Sequence, residues 1–418
     1  MSDMQSSSAF IIKNLTEAIT LAPLAKDGRF TNITTADLGR VKLCWIAVEH
    51  GKISEIGSGE SPDKYQSWQV IDGKNCIALP GLIDAHTHPV FAGLRADEFC
   101  MRLDGVTYQE IASKGGGIQS SVRNSAKASD GELETLLRQR MKAFAEHGVT
   151  TIEVKSGYGL TVSEELRHLR IIKKVGSSSD QTISATCLAL HAVPKEQTSS
   201  KAWAELCAKD LLPIVKSENL ADAVDAFIEQ GYFSVEDCAP YLDKARELGL
   251  HIRVHADEFS DAGAAKCAAK YNALSADHMQ FASQEGISAM AKAGVVALLL
   301  PGTSLYTSIP YTNSQPIKDA GCPVGLATDY NPGSCPVDNL RLVMTIGALH
   351  CKLTMAEALA AVTWVPARSL RLESTKGALT PGRDADILLM PLASCEEFIA
   401  DLGRTKPRAV WARGSRLV

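Results

Sequence analysis

The chain has 418 residues, 45% of them hydrophobic, enough for two or three domains of about 150 residues or for one large barrel. Its 43 Lys and Arg against 48 Asp and Glu leave a net charge of -5, which excludes the basic excess that holds nucleic acid or anionic lipid. With charged residues at 22%, 31 Gly and 17 Pro, disordered, collagenous and coiled-coil chains are excluded as well.

In chain order, residues 1–10 are polar, and the apolar run 9–12 is too short for the core of a signal peptide. Residues 41–57 read as a hairpin around Gly51-Lys52, and 68–79 as further strand. Eight β-branched or aliphatic runs then follow, at 82–88, 150–156, 183–191, 223–229, 251–258, 273–278, 295–301 and 324–329. Between them lie helical patterns rich in Ala, Leu, Glu, Lys and Arg, at 131–147, 162–175, 235–248, 261–270 and 284–293. Alternating strand and helix implies a parallel sheet, and eight such units imply a (β/α)8 TIM barrel in place of a doubly wound sheet.

The stretch between Pro89 and Gly148 is long for one connection, so much of 90–118 is expected to be loop across the barrel mouth. Gly115-Gly116-Gly117 lacks the ending of a phosphate loop and reads as a flexible lid turn. Helical stretches at 339–351, 355–362 and 367–372 close the barrel, and strand-like segments recur at 377–390 and 408–418. The expected architecture is α/β: a barrel over 80–372 and a small β-sandwich domain built from 1–79 and 373–418. The longest interior apolar run, 295–300, is far below the ~20 residues of a membrane helix. Eleven cysteines without a C-x-x-C pair point to a reducing cytoplasm, not to a disulfide framework or zinc knuckle.

The most informative segment is Leu79-Pro-Gly-Leu-Ile-Asp-Ala-His-Thr-His88. His86 and His88 stand at i and i+2 at the end of an apolar strand, so they project the same way and suit a divalent metal. Such a pair alone is weak evidence, and most occurrences are ordinary histidines. Here, however, His191, His255, Glu258, His278 and Asp329 also fall at the C-terminal ends of other predicted strands, where barrels of this kind build their active sites. His50, His147, His168, His251 and His350 lie in turns, in helices or at a strand's start, and are read as structural.

With these residues the sequence resembles the metal-dependent amidohydrolases, through the His86-Thr-His88 element and the late Ala327-Thr328-Asp329. Further matching motifs are Phe91-Ala-Gly-Leu-Arg-Ala-Asp-Glu-Phe99, Lys114-Gly-Gly-Gly-Ile118, Val154-Lys-Ser-Gly-Tyr-Gly-Leu160, His191-Ala-Val-Pro194, His255-Ala-Asp-Glu258, Ser275-Ala-Asp-His278, Leu300-Pro-Gly302 and Asp329-Tyr-Asn-Pro-Gly-Ser334. They are similar to the branch that opens 4-imidazolone-5-propanoate to N-formimidoyl-L-glutamate in histidine degradation. The resemblance implies one metal ion, zinc or iron, on His86, His88, His255 and Asp329, with solvent completing the site. Binuclear relatives use a carboxylated lysine at the fourth strand's end; residues 226–231 contain none, and Lys155 on the second strand is given a structural or substrate-orienting role at most.

Hydrolysis needs a base, an electrophile for the carbonyl oxygen and an acid for the leaving nitrogen. The resemblance assigns Glu258 to substrate contact and water activation; His278 is added as the group that polarises the carbonyl or shuttles the proton, and Asp329 as ligand and relay. Arg95 suits the substrate's carboxylate, since guanidinium pairs carboxylates bidentately. Tyr158, His191, Asn331, Gly333 and Ser334 match ring- and tail-contacting positions, and Tyr108 is a weaker addition. Cys335 beside this turn is expected to be open to oxidation. A homodimer is what the family implies. The alternatives are another mononuclear amidohydrolase, such as a nucleobase deaminase, and a barrel that has lost catalysis; the retained ligand set speaks against the latter.

Overall fold

The computed structural model describes residues 9–106, 110–111 and 115–418. The N-terminal segment supplies β1 (Phe10–Ile19), β2 (Arg40–Glu49), β3 (Lys52–Ser58), β4 (Gln69–Asp72) and β5 (Ile77–Pro80). The β2–β3 hairpin turns on His50 and Gly51, at φ of 51° and 73°, as a two-residue turn must to follow the strands' twist. A bulge between Ile12 and Leu15 breaks the alternation of β1, and for that reason the sequence offered only a short apolar run there. The expected strand at 68–79 is instead two, β4 and β5, separated by a turn in which Cys76 N–H donates to Gly73 O at 3.0 Å.

Eight parallel strands follow: β6 (Leu82–Asp84), β7 (Val149–Lys155), β8 (Thr182–Leu190), β9 (Ala223–Ile228), β10 (His251–Ala256), β11 (Ser275–His278), β12 (Val296–Leu299) and β13 (Val324–Leu326). They neighbour one another in sequence order, as a (β/α)8 barrel requires. All eight predicted runs are strands. The seam between β13 and β6 is closed by a bridge from Thr87 to Tyr330, by Asp329 N–H to His86 O at 3.0 Å and by Thr328, whose hydroxyl donates to Asp84 at 2.7 Å. This seam brings the first and last strand ends together, and with them His86, His88 and Asp329.

Alternation along the strands places Glu153 and Lys155 on the face of β7 opposite Ile152 and Val154, Asp225 opposite Val224 and Ala226 on β9, and Arg253 and His255 opposite Ile252 and Val254 on β10. Lys155 Nζ reaches Glu153 at 2.8 Å and, from two strands away, Asp225 at 2.9 Å. Arg253 lies 3.7 Å from Asp277 on β11, and Asp277 meets His86 across the barrel. The interior is therefore a paired polar network where branched apolar layers are usual. Pairing is what makes it tolerable, because an uncompensated buried charge costs several kcal/mol.

β14 (Ile387–Met390), β15 (Ala409–Ala412) and β16 (Ser415–Arg416) come from the C-terminal segment. β14 lies antiparallel beside β5, so both chain ends share one sheet in the order β16-β15-β14-β5-β1-β2-β3, with β4 paired to β1. Asp386 ties this sheet to the barrel by accepting from Thr150 at 3.1 Å and from Lys376 at 2.8 Å. Within the mouth segment, expected to be loop over much of 90–118, Ala96–Leu103 is a helix. Arg102, on its last turn, stacks on Phe99 and Tyr306 and donates to Tyr306 O and Gly333 O, each at 3.2 Å. The glycine turn is tethered to the same helix, Gly117 N–H donating to Glu98 at 2.9 Å.

Candidate active site

One cavity of about 990 Å³ opens at the C-terminal ends of the barrel strands, lined among others by His88, Arg95, Tyr158, His191, His255, Glu258, His278, Asp329, Asn331 and Ser334. At its floor His86 Nε2 lies 3.1 Å from His88 Nε2, and Asp329 Oδ1 lies 3.5 Å from His86 Nε2 and 3.2 Å from His88 Nε2. The His255 ring stands 4.5 Å from that of His86, centroid to centroid. Two donor groups, His86/His88/Asp329 and His86/His255/His278, each have ligand atoms within 4.8 Å of one another.

The buried carboxylates beneath orient these rings. His86 Nδ1 lies 2.6 Å from Asp277 and His255 Nδ1 lies 3.0 Å from Asp225, so both rings turn Nε2 toward the common centre, as carboxylate–histidine pairs do at metal sites. Burial opposes charge on Asp277, but Arg253, His86 and Lys155 outweigh it and hold this carboxyl below its usual range. His255 and Lys155 do the same for Asp225. His88 is pushed down to about 4, chiefly by burial, and is thus a neutral ligand at ordinary pH. This chemistry of imidazoles with one carboxylate, backed by fixed acceptors on the far ring nitrogens, fits a metal ion.

Around this floor stand the groups that the sequence placed at strand ends. Glu258 is buried, and burial followed by the charges of Asp329 and Glu229 pushes its carboxyl well up. His278 Nδ1 lies 3.6 Å from Glu258, beyond hydrogen-bond reach. Burial lowers His191 well below the usual range, with His88 and His255 adding to it; its Nδ1 pairs with Gly157 O at 2.9 Å. The Tyr158 ring lies 5.2 Å from that of His191.

Arg95 is buried, its backbone N–H donating to Pro332 O at 3.2 Å. The guanidinium lies against Gly333: a Cβ there would stand 1.5 Å from Arg95 Nη2. Gly333 is thus the seat of the arginine, and Asn331 builds the turn beneath it. Its amide oxygen accepts from Gly333 N–H at 2.9 Å and Ser334 N–H at 2.7 Å, while its Nδ2 donates to Asp329 O at 2.7 Å. Tyr108 lies outside the described residues. Cys335, expected to be open to oxidation, is fully buried, and burial raises its thiol far above the usual range, so the thiolate on which oxidation depends is suppressed.

Several functional neighbours were missed in the sequence: Asp225, Asp277, Arg253 and Thr303, whose hydroxyl donates to Asp329 at 2.5 Å. For Asp225 and Arg253 a signal existed, a polar residue alternating with buried apolar ones along a strand; β11 carries only one apolar residue, so that pattern did not mark Asp277. Thr303 sits in the helix Pro301–Thr307, and nothing local marks it.

Residues 112–418 match the model of the amidohydrolase family. The chain is 41% identical over 371 residues to the imidazolonepropionase of Brucella anthropi, covering 88% of this chain and 91% of that protein. It is 37% identical over 406 residues to that of Fusobacterium nucleatum, covering 97% of each. Solved structures share the fold at lower identity. An atrazine chlorohydrolase from Arthrobacter aurescens complexed with zinc superposes at TM-score 0.69 and 17% identity, over 98% of this chain and 95% of that one. An adenosine deaminase from Xanthomonas campestris with bound zinc does so at 0.71 and 15%, over 97% and 92%. Barrel, terminal sheet and His/Asp floor thus define a member of the amidohydrolase family. Within it, the chain belongs to the imidazolonepropionase family.

Proposed function

We propose that the chain hydrolyses the cyclic amide C–N bond of 4-imidazolone-5-propanoate, adding one water to give N-formimidoyl-L-glutamate, a step of histidine degradation in the cytoplasm. The observation that carries this is the pairing, in one cavity, of the His/Asp floor with a buried arginine fork at Arg95. Its substrate has a ring to open and a carboxylate to anchor, and the two halves of the cavity answer these needs. The homodimer implied by the family is part of the same reading. The deaminase alternative has only the shared fold in its favour.

His86, His88, His255 and Asp329 would hold one ion, zinc or iron. Such an ion, when bound, supplies Lewis acidity that acidifies water and polarises a carbonyl. Glu258 takes the proton of the attacking water and, in its raised-pKa environment, returns it to the leaving ring nitrogen. His278 faces the carbonyl oxygen as a donor. Asp329, held by Thr303, keeps the two ends of the barrel seam in register and relays to solvent the second proton of the added water, lost as the product carboxylate forms. Arg95 pairs with the propionate, and Tyr158 and His191 flank the ring. The test is metal analysis of protein purified without chelator, coupled to an assay of imidazolone propanoate loss. Stoichiometric zinc or iron with turnover is expected; a metal-loaded protein inert on this ring but releasing ammonia from a nucleobase would overturn the reading.

A further inference from the structure

We infer that Glu229 is a positioning residue that holds the proton-transfer carboxylate Glu258 in place by anchoring the loop that follows it. Glu229 sits just past β9, 2% exposed. Its Oε2 accepts from Phe259 N–H at 2.8 Å and Ser260 N–H at 3.3 Å. Its Oε1 accepts from Gln230 N–H at 2.8 Å and from the Ser260 hydroxyl. On the other side of Glu258, Asp257 stands at φ of 52° and accepts from Ala262, Ala264 and Ala265 N–H, each at 3.0 Å.

Glu258 is therefore carried on a single residue between two clamped backbones. Asp257 clamps its N-terminal side to the helix Ala264–Lys270, and Glu229 clamps its C-terminal side to the neighbouring strand. A buried carboxylate facing four donors is a rigid anchor, because removing it leaves backbone amides without an acceptor. Glu229 itself lies outside the donor clusters on the floor. Beyond the charge that Met and Gln variants would both remove, it acts through backbone, so loss of its acceptors frees Glu258 to drift by an ångström or so, a displacement worth on the order of a hundredfold in rate.

The inference rests on the proton-transfer role of Glu258, and the test separates the two. Glu229→Met removes the acceptors at similar volume; Glu229→Gln keeps an oxygen that can still face Phe259 and Ser260. Expected for Glu229→Met is a fall in kcat of roughly tenfold to hundredfold, KM within about twofold, unchanged metal content, and faster hydrogen exchange in the peptide spanning Asp257 to Ala262. Glu229→Gln should recover to within a few-fold of the unmodified protein. In a Glu258→Gln background, adding Glu229→Met should cost nothing further, since both act through one group. An additive loss, an unchanged exchange rate in that peptide, or a Gln variant as impaired as Met would each overturn the inference. Should Glu229→Met fail to fold, Ser260→Ala, which removes one of the donors, must show the same pattern more weakly, and normal kcat and exchange there would sink it. If the unmodified chain does not turn over the ring at all, the assigned reaction fails, and exchange alone decides the anchor.

Discussion

At the scale of single residues, the floor of the cavity separates groups that hold from groups that react. His255 faces the donor cluster with Nε2 while Asp225 grips Nδ1, so His255→Ala is expected to lose metal and activity together, as read by metal analysis alongside turnover. Glu258→Gln removes a proton acceptor and leaves the cluster intact; metal content should be retained while kcat falls by about two to four orders of magnitude. Normal turnover in Glu258→Gln would assign the base elsewhere. Arg95→Ala should act mainly on KM, raising it about tenfold or more. A hydrogen bond to a charged group is worth roughly 1.5–3 kcal/mol, and the tail is bound alike in ground and transition states. Much of this was legible beforehand. Each of the histidines and carboxylates lining the cavity ends a strand, and period-2 patterning shows where strands end. What stayed hidden were partners such as Asp277, which meets His86 over 191 positions of separation; no local pattern encodes a contact across a barrel.

At the scale of elements, the turn after β13 couples catalysis to substrate anchoring. Asn331 spends its amide on the turn's own backbone, and the turn in return presents Gly333 to the Arg95 guanidinium. Gly333→Ala should therefore displace the arginine and raise KM much as Arg95→Ala does, with little loss of thermal stability, because the atom struck is the end of a flexible side chain. A variant with unchanged KM would show that the fork does not reach the substrate from this seat. The mouth segment is instructive in the other direction. Its length announced a mostly irregular segment; within it Ala96–Leu103 is helical, tied by Arg102 through stacking and hydrogen bonds to two distant connections. Eight residues are too few to be helical on propensity alone, so sequence pattern could not reveal them.

At the scale of the whole molecule, the two ends of the chain are joined through ion pairs at the edge of the barrel. Asp384 accepts from Lys52 at 2.5 Å and lies 2.9 Å from Lys376, which also pairs with Asp386 at 2.8 Å. Burial raises the Asp384 carboxyl, but the two lysines outweigh it and lower it overall. A carboxyl lowered in the folded state contributes stability that is present above its unfolded value, about 3.9. That stability is lost as pH falls through the folded value. Asp384→Asn should thus be less stable than the unmodified chain at pH 7, and the difference should shrink as pH falls below about 4, as followed by thermal unfolding across pH. A constant difference at all pH values would mean the lysine pairs contribute nothing.

By itself the sequence determined the barrel, because eight buried runs separated by amphipathic helices have few other ways to hide their backbone. It also determined which side chains crowd the mouth, because strand ends of a parallel barrel share one rim. Only the tertiary structure decided how those side chains are held. The polar interior of Glu153, Lys155, Asp225, Arg253 and Asp277, the arginine seated on Gly333, and the carboxylate clamp at Glu229 all join residues distant in the chain. Such contacts exist only once closure of the barrel has brought the strands together.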